Sequence, residues 1–104
     1  MDQIIAVDFD GTLCKNQWPG IGAPNRKLIN YLIDEKETRG SKLILWTCRT
    51  GALLDEAVEW CRQQGLEFDV VNDNLSDRIE IFGDNCRKIF ANVYIDDRSQ
   101  QPFW

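Results

Sequence analysis

Apolar residues along this chain fall into two rhythms. Short apolar runs at Gln3–Val7 (QIIAV) and Lys42–Trp46 (KLILW) have no polar alternation, as expected for parallel strands buried on both faces. Phe68–Val71 and Asn92–Ile95 (NVYI) predict two further strands. Between the first two runs, Leu28, Ile29, Leu32 and Ile33 recur at helical spacing. Pro24 is expected in the first turn of that helix and Gly40 at its end. After Thr50 the stripe Leu53, Leu54, Ala57, Val58 and Cys61 predicts a second amphipathic helix closed by Gly65. Asn74–Phe82 reads as a weaker helix. Gly11 to Ala23, with three glycines and Pro19, reads as loop.

Strands alternating with helices predict an α/β fold: a parallel sheet between helices on both faces, three-layer and Rossmann-like, in strand order 3-2-1-4. That order makes the first and last strands neighbours. At 104 residues, 43% of them hydrophobic, the whole chain (1–104) is expected to form one domain. The tail Gln100–Trp104 is too short for a domain, and its Pro102, Phe103 and Trp104 are expected to pack on the core or on another subunit, which would make a homo-oligomer.

Charge narrows the function. Seventeen acidic residues against 12 basic give a net charge of −5, so a polynucleotide meets a repulsive average field and nucleic acid is not the expected partner. No run is long enough to span a membrane, and no secretory pattern opens the chain. Cys14, Cys48, Cys61 and Cys86 show neither C-x-x-C nor zinc spacing, so a reducing cytoplasm is the expected compartment. The absence of histidine excludes Ser-His-Asp and Cys-His nucleophile systems and histidine-ligated zinc. Catalysis here has carboxylates, Lys, Arg, hydroxyls, thiols or a hard metal to work with.

The chemistry concentrates at the predicted strand ends. DFDGTL, Asp8–Leu13, follows the first strand directly, and Asp96 and Asp97 follow the last. Ligands of parallel sheets gather at the carboxyl ends of strands. One aspartate suits a turn, but carboxylates converging from two strand ends repel each other unless a cation lies among them. Oxygen donors without His or Cys suit magnesium. Thr47 follows the second strand, where its hydroxyl and the backbone N–H groups of Cys48 and Arg49 are placed to hold an anionic oxygen. Lys88 precedes the last strand and is a candidate for the same anion. There is no P-loop, and no cysteine has an arginine six positions on.

VDFDGT, LWTCRTG, Lys88 and YIDDR, in that order from Ile4 to Arg98, resemble the four motifs of the haloacid-dehalogenase-like (HAD) phosphohydrolases. The resemblance implies a magnesium-dependent phosphatase acting on phosphomonoesters through an aspartyl phosphate. Asp8 would be the nucleophile and Asp10 the proton shuttle. Thr47, Cys48, Arg49 and Lys88 would bind phosphate, and Asp8, the Asp10 carbonyl and Asp96 would hold Mg2+. Asp97 is expected to stand behind the ligands, since neighbouring residues point apart. About thirty residues separate the first two motifs, too few for an inserted domain, so the chain looks like a capless member of that superfamily. A small phosphorylated compound is the expected substrate. The alternatives are a phosphatase of nucleic acid ends and a catalytically silent magnesium- or partner-binding domain.

Overall fold

A computed structural model describes residues 3–85 and 89–98. Its main sheet is built from β1 (Ile4–Val7), β4 (Lys42–Leu45), β5 (Val70–Val71) and β6 (Val93–Ile95). All pairings are parallel and the order is β5-β4-β1-β6, the 3-2-1-4 arrangement of the four anticipated strands. β1 is central and buried along its whole length, which accounts for its unbroken apolar run.

Alternate residues of the two inner strands face two cores. Ile5, Val7, Leu43 and Leu45 pack with Leu28, Ile29 and Leu32 of α1 (Arg26–Arg39) and with Ala57 and Cys61 of α2 (Gly51–Gln63). The opposite face carries Ile4, Ala6 and Ile44, covered by Ile89, Ala91, Phe90 and Leu75. Leu75 is the N-cap of α3 (Ser76–Phe82), which buries none of its own residues. The helical layer on this side is therefore thin. Its weak amphipathic signal in the sequence has this physical cause: a seven-residue helix with no buried face has little hydrophobic period to display.

Two local expectations are corrected. The 11–23 stretch holds an antiparallel hairpin, β2 (Cys14–Gln17) and β3 (Gly20–Pro24). Most of its residues are exposed, so apolar alternation could not reveal it. Gly22 permits the close pairing, since a Cβ there would lie 2.3 Å from the Lys15 carbonyl oxygen. Pro24 ends β3 rather than opening α1. The helix is capped instead by Asn25, whose side chain accepts from Leu28 N–H at 3.2 Å and donates to the Thr12 carbonyl at 3.0 Å. Gly40, left-handed at φ 68°, ends α1 as expected.

The candidate acidic site at the strand ends

The register of the sheet decides what meets at its carboxyl edge. Val7 is level with both Leu45 and Ile95. Asp8 N–H donates to the Ile95 carbonyl at 2.9 Å, and Trp46 N–H to the Val7 carbonyl at 2.9 Å. Asp8 and Asp96 therefore leave adjacent strands at the same height. One carboxylate oxygen from each of Asp8, Asp96 and Asp97 lies within 4.8 Å of the other two.

Asp97 thus joins the cluster directly instead of standing behind it. The two-residue alternation that would turn it away ends with β6 at Ile95. The chain turns at Asp97 and Arg98, and Asp96 Oδ1 accepts from Arg98 N–H at 2.8 Å. Gly11 leaves the room: at φ 83° it carries no Cβ, and a Cβ there would stand 2.6 Å from Asp97 Oδ2.

The electrostatics follow from burial first and from this crowding second. Burial, with the charges of Asp96 and Asp97 adding to it, raises Asp8 from its ordinary 3.8 to about 6. Hydrogen bonds from the Phe9 backbone and the Thr12 hydroxyl, the latter at 3.2 Å to Oδ2, pull the other way. Asp97 is also raised, first by desolvation and then by its hydrogen bond and repulsion with Asp96.

Asp10 faces a different partner. Its two oxygens accept a forked pair of bonds from Arg49, Nε to Oδ2 at 2.9 Å and Nη2 to Oδ1 at 2.8 Å. The Arg49 side chain is 0% exposed and that of Asp10 18%. Nη2 also donates to the Gly20 carbonyl at 2.8 Å, and the guanidinium lies between Phe9 and Trp18, 5.0 and 5.1 Å from their ring centroids. Arg49 is raised above its ordinary value chiefly by the hydrogen bond to Asp10. This forked geometry ties the Asp10 loop to the tip of the hairpin.

Arg49 accordingly turns its side chain away from the crevice. Its guanidinium is buried and committed, and its backbone N–H donates to Thr47 Oγ1 at 3.1 Å. Thr47 N–H in turn donates to Asn72 Oδ1 at 2.7 Å. Thr47 and the exposed Cys48 line an open crevice of about 420 Å3 together with Asp8, Asp10, Asp96 and Trp18. Lys88 lies outside the described residues. Of the candidate residues, then, Asp8, Asp10, Asp96, Thr47 and Cys48 meet at one crevice and Arg49 sits behind it.

A larger crevice, about 630 Å3, opens at the amino ends of the strands beside Ile4, Lys42 and Val70. Two of its three carboxylates are occupied with structure: Asp69 Oδ2 accepts from Leu43 N–H at 2.7 Å, and Asp73 Oδ1 from Asn74 N–H and Asn85 Nδ2. Among the described residues no acidic cluster of the strand-end kind lies there.

With this geometry in place, the chain is similar to a solved structure, that of a conserved protein from Bacteroides thetaiotaomicron. The two are 41% identical, with a TM-score of 0.75 over 95% of this chain and 78% of that one. This chain belongs to that protein's family. No protein-family model and no curated protein matches it. What the family likeness supports is a mixed α/β fold around a parallel four-stranded sheet.

In this family member three described cysteines are free thiols. Cys14 and Cys61 are core residues, and burial pushes the Cys61 thiol up to about 12, which leaves it inert as a nucleophile. Among the described residues no helix is long and apolar enough to cross a membrane. Cys86 and the tail from Gln100 to Trp104, expected to pack on the core or a second subunit, lie outside the described residues. Sequence reasoning missed three contributors to the site: Thr12, the Asn72 side chain and the direct part of Asp97. For Thr12 a signal existed, because it directly follows DFDG. Asn72 carried none: its role depends on a left-handed φ of 53° beyond β5.

Proposed function

We propose that this chain is a magnesium-dependent phosphohydrolase of the HAD-like kind, without a separate cap, that hydrolyses small phosphomonoesters through a phosphoryl group carried on Asp8. The observation that supports it is the convergence of Asp8, Asp96 and Asp97 within 4.8 Å at the ends of adjacent parallel strands, in a crevice that Asp10 and Thr47 also line. The donor set fits the ion. It consists of hard oxygens, and a divalent cation would offset both the burial that raises Asp8 to about 6 and the added charges of Asp96 and Asp97. Asp8, Asp96 and Asp97 would hold it, together with the Asp10 carbonyl that the resemblance implies. When bound, magnesium supplies positive charge against the oxygens of the transferring phosphoryl group.

The chain's own residues do the rest. Thr12 holds one Asp8 oxygen and so fixes the carboxylate, leaving the other to attack phosphorus as the bond to the leaving alcohol breaks. Asp10 delivers a proton to the leaving oxygen and later takes one from the water that cleaves the aspartyl phosphate. Both Asp10 oxygens face Arg49 at rest, so these steps require the side chain to turn out of the fork. Thr47 and Cys48 line the phosphate's side of the crevice, and Lys88 enters on sequence resemblance alone. The Arg49 fork also favours a second reading, a magnesium-binding domain without turnover.

One experiment separates the two. The protein is assayed on an aryl phosphate with magnesium, with chelator, and as Asp8→Asn. The proposal expects metal-dependent turnover and a fall in kcat of at least ~10³ in the variant. Chelator-resistant or near-normal variant turnover overturns it, and magnesium binding without turnover selects the silent domain.

A further inference from the structure

We propose that the Trp18 indole is a stacking platform for the substrate's leaving group, and that the substrates of the site are therefore nucleoside monophosphates; this rests on the phosphohydrolase reading above. Trp18 occupies the short connection between β2 and β3 and is 53% exposed where it lines the crevice beside Asp8, Asp10 and Asp96. A singly exposed aromatic is ordinary on a protein surface. Trp18 differs because it is held from behind. The Arg49 guanidinium lies 5.1 Å from its ring, and Arg49 is itself fully buried against Asp10, the Gly20 carbonyl and Phe9. Phe9 rests edge-on against Trp60 at 5.5 Å and 87°. The Trp18 backbone N–H donates to Asn16 Oδ1 at 3.2 Å.

A rigid indole backed by a buried cation loses little conformational freedom when a second planar ring stacks on it. The other exposed aromatics at this end of the sheet are used differently: Trp46 and Tyr94 lie against each other at 5.6 Å, and neither lines the crevice. Trp18 is thus the aromatic ring that the crevice presents to a ligand among the described residues. A volume near 420 Å3 is within the range of small-ligand sites, about 300–1,000 Å3, and the three clustered carboxylates favour a ligand with one phosphate over a chain of them. Phosphate at the strand ends and a planar ring on Trp18 together describe a mononucleotide.

The test compares a nucleoside 5′-monophosphate with ribose 5-phosphate, which keeps sugar and phosphate and lacks the ring. In the unaltered protein kcat/KM should favour the nucleotide by roughly 5- to 150-fold, the range of base–aromatic stacking. Trp18→Phe should keep most of this preference and Trp18→Leu should bring the ratio toward 1. A second readout is independent of turnover. Unphosphorylated nucleoside should shift the indole N–H resonance of Trp18, identified by its loss in Trp18→Phe. A ratio near 1 in the unaltered protein overturns the platform, as does a preference that survives in Trp18→Leu. If no phosphate ester is turned over, the phosphohydrolase reading fails and the resonance decides: a nucleoside-induced shift sustains the platform and an unmoved resonance ends it.

Discussion

Replacing Asp8 with Asn should stabilise the metal-free protein at neutral pH, although it removes the proposed nucleophile. The folded carboxyl is raised from 3.8 to about 6, first by burial and then by Asp96 and Asp97. Between those values the folded state binds more protons than the unfolded one. Stability linked to Asp8 is therefore fully present below about pH 3.8 and is lost as pH rises through about 6. At 1.36 kcal/mol per pH unit the full displacement is worth about 3 kcal/mol, and partial solvent exposure trims this to about 2 kcal/mol. Asn keeps the shape of the side chain without the charge. Urea unfolding in chelator at pH 7.5 should therefore show Asp8→Asn more stable by about 2 kcal/mol, with the advantage shrinking toward zero near pH 4. On the proposed reading, in which magnesium binds the folded carboxylate cluster, saturating magnesium should reverse the order at pH 7.5 by mass action. A variant no more stable than the parent at pH 7.5 in chelator would refute the argument that an ionised, buried Asp8 beside Asp96 and Asp97 destabilises the metal-free fold.

Other perturbations probe separate parts of the site. Arg49→Met breaks a buried forked pair and should lower stability by about 3 kcal/mol in chemical denaturation, the low end for such pairs because Asp10 keeps some solvent access. Gly11→Ala forces a side chain onto φ 83° and against Asp97, so we expect a loss of about 1–2 kcal/mol in unfolding experiments, together with weaker magnesium binding by titration calorimetry. Lys88→Ala should lower phosphatase kcat/KM while leaving the magnesium-induced rise in Tm intact, which separates an anion ligand from a metal-site residue.

Much of the fold was readable in the sequence because it depends on local pattern. Continuous apolar runs marked the central strands, 3.6-residue stripes marked α1 and α2, and acidic residues directly after β1 and β6 marked the edge where the carboxylates gather. Even the strand order followed, since parallel connections leave few topologies. The hairpin escaped because its residues are mostly solvent-exposed and pair through backbone, which leaves no apolar period to read. The partners of the charged side chains were decided only in three dimensions. Asp97 reaches the carboxylate cluster because β6 ends one residue before Asp96 and because Gly11, 86 positions earlier, leaves a gap of one Cβ. Arg49, beside Thr47 and Cys48 in sequence, turns away from the crevice to Asp10 and the hairpin tip. Composition and spacing determine which groups arrive at the sheet edge. Which of them pair, and which are left facing solvent with unbalanced charge, depends on ångström-scale packing between segments distant in the chain.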